Sequence, residues 1–211
     1  MAKILSVVSR AGLARVVDPV ARAALRVGIS PNVVTIAGTV GVLFGAIGFG
    51  ARGHMITGLV IVTLSALTDM LDGAMARARG PAGRFGALLD STMDRVADGA
   101  IFGAVAYWFA HTGHPSTAAA ALLCLVAGQV VSYAKARAEG LGFECNVGVA
   151  ERAERLILVG VGAVLDAVGV PHGFEAVLWL LAALSVLTVW QRVMHVYRQD
   201  LLRQREPGAG G

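Results

Sequence analysis

Charge is what this chain has little of. Asp, Glu, Lys and Arg make up 15% of its 211 residues, against roughly 25% in an average globular protein. With 56% hydrophobic residues and a mean hydropathy of +0.68, an ordinary soluble domain is excluded and an integral membrane protein is expected. Cysteine is nearly absent too. Cys124 sits in an apolar run and Cys145 in a loop, and neither has a metal-ligating neighbour at close spacing, so a disulfide framework drops out and core filler and loop thiol are the expected roles. Nothing before Ser30 has the long apolar core and small-residue cleavage site of a signal peptide, so insertion by the chain's own spans is expected.

What is there is a series of apolar runs. Residues 1–29 are too interrupted to span. If helical after Val16, they place Arg15, Arg22 and Arg26 on one face, with Val17, Val20 and Ala24 elsewhere, which predicts an amphipathic helix in the membrane interface on anionic lipid, with a break near Pro19. Ser30-Pro31 reads as helix N-cap and first helical residue. From there six spans are expected, at about 31–50, 56–77, 85–110, 117–137, 152–168 and 176–193, the last continuing as a polar helix to Arg205. Residues 30–205 are thus one all-α, six-helix membrane domain, and 206–211 a disordered tail.

Basic residues orient it. Only Arg52 falls in the loops after spans one, three and five; every other Lys and Arg lies on the opposite side or at the termini. The positive-inside rule puts both termini and the basic loops in the cytoplasm, in a multi-pass protein of the plasma membrane. His111, His114 and His172 fall outside and read as solvated. No nucleic-acid partner is expected.

The few acids are grouped. Asp69 and Asp72 stand three apart on span two, and Asp90 and Asp94 four apart on span three, so each pair shares a helix face and two helices can aim four carboxylates into one cleft. An ionised Asp at the bilayer centre costs roughly 2.5–3.5 kcal/mol, so the set calls for cations, water or both. Oxygen donors without His or Cys select hard ions such as Mg2+ or Mn2+, and two of them side by side are a device for phosphoryl transfer. At about 1.5 Å per residue, Asp69 lies about 20 Å from the outer end of span two and Asp90 about 9 Å past Arg84. The cleft is therefore in the inner third to half of the bilayer and opens to the cytoplasm.

With its small residues the stretch reads Asp69-x2-Asp72-Gly73-x2-Ala76-Arg77-x8-Gly86-x3-Asp90-x3-Asp94. This resembles the signature of the CDP-alcohol phosphotransferases, membrane enzymes that move a phosphatidyl-type group from a CDP-linked donor to an alcohol. The resemblance implies that Asp69, Asp72, Asp90 and Asp94 hold two divalent ions, Mg2+ with Mn2+ as an alternative, and that Asp94 is also the general base. It implies CDP-diacylglycerol contacts from Gly73, Arg77 and Gly83, and from the run Asn32, Val33, Val34 and Thr35 at the start of span one, a run that helix capping explains as well. Gly73 and Ala76 leave room for a nucleotide, Arg77 can reach a phosphate, and Gly86 lets helix backbones come close. A homodimer is implied by the family. Asp98, one turn beyond Asp94, lies outside the signature and reads as a supporting or interhelical group, while Arg95 suits either a phosphate or that acid.

The acceptor has to be read from the later spans. Ser132, Lys135, Arg137, Arg152, Arg155 and Arg192 fall at cytoplasmic span ends, and such a set suits an acceptor that already carries phosphate. Positive-inside anchoring accounts for the same cations, Arg152 above all. The pattern Ser132-Tyr133-x-Lys135-Ala136-Arg137-Ala138-Glu139, with Glu151-Arg152-x-Glu154-Arg155 and Gln191-Arg192, is similar to the actinobacterial phosphatidylinositol phosphate synthases within the family. That similarity implies inositol phosphate as acceptor, held by Ser132, Lys135, Arg137, Arg155 and Arg192, and CMP as product. Two alternatives stay open: a phosphatidylglycerophosphate synthase, whose acceptor is glycerol 3-phosphate, and a cation or proton transporter, since intramembrane carboxylates also mark ion pathways.

Overall fold

A computed structural model describes residues 17–79 and 83–205, without the side chains of Asp69, Met70, Arg79 and Arg205. The expectations for Arg15 and for the tail 206–211 fall outside that range. Every regular element among the described residues is helical: α1 over residues 17–26, then α2 Pro31–Gly48, a 3-10 turn Gly50–Arg52, α3 Met55–Arg79, α4 Arg84–His111, α5 Pro115–Gly140, α6 Arg152–Ala167 and α7 Gly173–Arg205. The expected spans match α2 to α7 within a few residues. α1 is helical from residue 17 through Pro19 to 26, and a break ahead of residue 17 falls outside the described residues.

Among the described residues, four stretches are long and apolar enough to cross a membrane: Pro31–Arg52, Met55–Ala78, Pro115–Gly140 and Gly173–Gln204. α4 has the length, at 28 residues, but carries Asp90, Asp94, Arg95 and Asp98. α6 is apolar but has only 16 residues, about 24 Å of helix.

The chain forms two compact units that divide between Ile101 and Phe102. In the first, Ser30 opens α2 as expected: its backbone is extended, its hydroxyl accepts from the Val33 N–H at 3.4 Å, and Pro31 follows. One face of α2 carries Gly38, Gly41 and Gly45 against Thr68, Ser65 and Ile61 of α3; a Cβ at Gly38 would come within 2.1 Å of Thr68 Oγ1, and one at Gly45 within 2.9 Å of Ile61. Small residues allow such contact where lipid supplies no hydrophobic drive between helices. Val33, Ile36, Val40, Phe44 and Ile47 remain exposed along α2, as a lipid-facing stripe would be. α1 docks through Ala21, which is buried with Ala74 and Met75 of α3, while Val17, Ala24 and Leu25 pack around them. Arg22 and Arg26 point outward, and so does Val20.

In the second unit α7 packs against both α5 and α6. The Cys124 thiol donates to the Leu178 carbonyl at 3.2 Å, and Phe109 meets Phe174 edge to face at 5.3 Å. Gly162 of α6 leaves the space that the Phe174 ring fills, since a Cβ there would lie 2.4 Å from the ring. The turn before α7 uses Gly169 and His172 in the left-handed region, and His172 is exposed and bonds Glu175 at 3.0 Å.

Candidate active site

The acid motif lies in the first unit. α3 carries Asp69, Asp72, Gly73 and Arg77; α4 carries Gly86, Asp90 and Asp94. Asp72 is buried, and the Thr35 hydroxyl of α2 donates a hydrogen bond to its Oδ2. A buried carboxylate needs such a donor, because an uncompensated one is expensive. Beside it, a Cβ on Gly86 would sit 3.6 Å from Asn32 Oδ1, and one on Gly73 would sit 3.4 Å from Arg77 Nη1. The starts of α2 and α4 thus meet, and Gly73 clears the space into which Arg77 extends. Gly83, in the loop before α4, has open space around it. Val33 is exposed and Val34 packs into the α1–α3 cluster.

Asp94 forms an ion pair with Arg95 at 3.6 Å, a partner for which the sequence offered a phosphate or Asp98. Asp90 is exposed and Asp98 buried. Among the described residues no three His, Cys, Asp or Glu side chains gather as a metal cluster, and the fourth acid, Asp69, has its side chain outside the description. The donor set itself suits a hard divalent ion: every candidate is a carboxylate, with no nitrogen or sulfur ligand among them.

The basic set lies in the second unit, where three of its members come together. Ser132 Oγ donates to the Gly128 carbonyl at 3.1 Å. Arg155 is 1% exposed and lies over Gly128, with Nε 3.1 Å from where a Cβ would stand; its Nη1 donates to the Ala150 carbonyl at 3.5 Å. Arg192 is 3% exposed and donates from Nε to the Val147 carbonyl at 2.9 Å, from Nη1 to the Val131 carbonyl at 2.6 Å and from Nη2 to Glu151 at 3.0 Å. Lys135 and Arg137 are not part of this group. Lys135 turns to Glu139 at 3.9 Å, and Arg137 is exposed.

Sequence reasoning passed over Thr188. It is fully buried, accepts from the Val149 and Ala150 N–H groups at 3.2 and 3.0 Å and donates to the Leu184 carbonyl at 2.8 Å. The loop 141–151 hangs on α7 through this hydroxyl, through Arg192, and further out through Gln199, which exchanges bonds with Glu144 at 2.6 and 3.2 Å. Arg203 completes the row, bonding the Gly142 carbonyl at 2.5 Å with its guanidinium over Phe143. Gly148, with φ +140°, passes so close to Thr188 that a Cβ would lie 2.5 Å from its methyl group. The available signal was the polar row Ser185, Thr188 and Arg192 at helical spacing in an apolar helix. Cys145, a residue of this loop, is buried, and burial pushes its thiol above the usual range.

The family model for CDP-alcohol phosphatidyltransferase matches residues 28–190. The chain belongs to that family. Among relatives, the phosphatidylinositol phosphate synthase of Mycobacteroides abscessus is 45% identical over 207 residues, which are 95% of this chain and 94% of that protein. The crystal structure of Mycobacterium tuberculosis phosphatidylinositol phosphate synthase with CDP-DAG bound superposes with a TM-score of 0.83 at 45% identity, covering 87% of this chain and 94% of that one. A second structure of that enzyme, in complex with manganese and citrate, gives 0.81 at 45% identity, covering 86% and 88%.

Proposed function

We propose that the protein transfers the phosphatidyl group of CDP-diacylglycerol to 1D-myo-inositol 3-phosphate (L-myo-inositol 1-phosphate) and releases CMP. The observation that carries this is 45% identity to a phosphatidylinositol phosphate synthase across 95% of the chain. It is joined by the group of half-buried Ser132 with buried Arg155 and Arg192, which suits a phosphorylated acceptor.

The acceptor hydroxyl attacks the phosphorus that carries diacylglycerol, the bond to the CMP oxygen breaks, and the hydroxyl proton passes to Asp94. Asp69, Asp72, Asp90 and Asp94 are the ligands for two divalent ions, Mg2+ or Mn2+. When bound, such ions neutralise pyrophosphate charge and polarise the bond that breaks. Thr35 holds Asp72 in place, and Asn32, Val33, Val34, Gly73, Arg77 and Gly83 receive the CDP end of the donor. Arg155 and Arg192 take the acceptor phosphate and Ser132 the rest of the acceptor, with Lys135 and Arg137, which stand outside that group, completing the pocket from the end of α5.

The wider assignment is one domain over residues 30–205 in which α2 to α7 all span, with α4 crossing through its acids. α1 lies in the cytoplasmic interface, within the juxtamembrane segment 1–29, and 206–211 is a tail. The termini and the site face the cytoplasm, the membrane is the plasma membrane, and the protein is a homodimer. Purified protein given CDP-diacylglycerol, inositol 1-phosphate and Mg2+ should release CMP. Turnover of glycerol 3-phosphate in its place would make it a phosphatidylglycerophosphate synthase. Ion flux through vesicles without CMP release would return the transporter alternative.

A further inference from the structure

The lipid-facing side of α7 carries a second feature that the transfer reaction does not use. An apolar groove of about 570 Å3 runs from Trp179 past Ala183 and Leu187 to Trp190, with Leu123 of α5 as its other wall. At 1.5 Å per residue, Trp179 to Trp190 is about 17 Å, close to half of a hydrocarbon core of about 30 Å. The groove is therefore as long as one monolayer is deep.

At Trp190 its character changes. The same indole also lines a cavity of about 380 Å3 whose other walls are Gln191, His195, Arg198 and the loop backbone at Gly148. Among the described residues neither His195 nor Arg198 has an ion-pair partner, and the Gln191 Oε1 is enclosed without a hydrogen-bond donor. A hydrocarbon-length groove ending in an unneutralised cation and an acceptor without a donor matches a single amphiphile. Its tail is apolar, its phosphate anionic, and its headgroup carries a hydroxyl.

We propose that this face of α7 binds an anionic phospholipid with a hydroxyl-bearing headgroup. One acyl chain lies in the groove between Trp179 and Trp190, the phosphate rests on Arg198 and His195, and a headgroup hydroxyl donates to Gln191 Oε1. The site belongs to the second unit and the acid motif to the first, and the proposal does not depend on which acceptor the enzyme uses.

The test reads Trp190 fluorescence in the full chain carrying W108F and W179F, reconstituted in phosphatidylcholine vesicles. A minor fraction of acyl-brominated phosphatidylglycerol should quench it about fivefold more effectively than the same fraction of brominated phosphatidylcholine. Adding R198Q and H195Q should remove the difference while the helical circular dichroism stays unchanged. Brominated phosphatidic acid, anionic but without a headgroup hydroxyl, should fall between the two. Equal quenching by phosphatidic acid and phosphatidylglycerol would overturn the Gln191 contact. Equal quenching by all three would overturn the site, as would emission that no brominated lipid reaches because a second copy of the chain covers the groove. Turnover is not read, so failure here is separate from failure of the acceptor assignment.

Discussion

Arg155 of α6 lies directly over Gly128 of α5, with its Nε 3.1 Å from where a Cβ would be. That distance is tighter than most Cβ contacts, and the guanidinium is enclosed, so a methyl group at position 128 has to shift the arginine by a few tenths of an ångström. Gly128→Ala should raise the KM for inositol phosphate by about tenfold, equivalent to about 1.4 kcal/mol, and leave the KM for CDP-diacylglycerol unchanged. Steady-state CMP release with each substrate varied in turn checks it.

Thr188→Val keeps the shape of the side chain but removes the acceptor for two backbone N–H groups. Leaving a buried donor unsatisfied costs about 1–3 kcal/mol. The variant should unfold at a temperature lower by several degrees, and a protease should cut within 141–151 faster than in the unsubstituted protein.

Asp94→Asn should lower the rate of CMP release by two orders of magnitude or more, in keeping with the roughly 10²–10⁴-fold that general base catalysis contributes. CDP binding, measured by equilibrium dialysis, should persist. Unchanged release would remove Asp94 from the reaction.

Chelation with EDTA should abolish CMP release, and added Mg2+ or Mn2+ should restore it, whereas Ca2+, with longer bonds and looser geometry, should restore little. The readout is the rate against free metal concentration.

Cys145 should be slow to alkylate. Thiolate is the reactive form, and burial holds this thiol protonated above its usual range. Below the ordinary thiol pKa of about 8.5 both the buried and a free thiol are mostly protonated, and as pH rises the free thiol ionises first. Maleimide labelling followed by mass spectrometry should therefore lag behind that of a free cysteine at every pH up to about 9, and the lag should vanish on unfolding.

Element positions were legible because their signals are local. Ser30-Pro31 opens α2 as its sequence indicates, and the lengths of the apolar runs mark the other helices. The acid motif was legible because carboxylates in apolar helices have few alternative explanations. The contact of Thr35 with Asp72 was only half visible: the capping run at Pro31 was plain, yet what Thr35 faces depends on how α2 packs on α3. The basic set shows where one-dimensional reading ends. Ser132, Lys135 and Arg137 are close in sequence, but the helix turns Lys135 toward Glu139 and leaves Arg137 at the surface. Gly128 gave no signal, since a glycine in a membrane helix is common, and Thr188 gave only the polar row it shares with Ser185 and Arg192; the approach of α6 and of the 141–151 loop gives each one its task.

That loop hangs from Thr188 and Arg192, residues of α7, which is synthesised after every other described helix. A growing chain emerging from the ribosome contains its whole aspartate signature long before the support for Arg155 and Glu151 exists. Products of premature termination ahead of Thr188 would keep the donor-side motif and lack the clasp that seats the acceptor-side arginines.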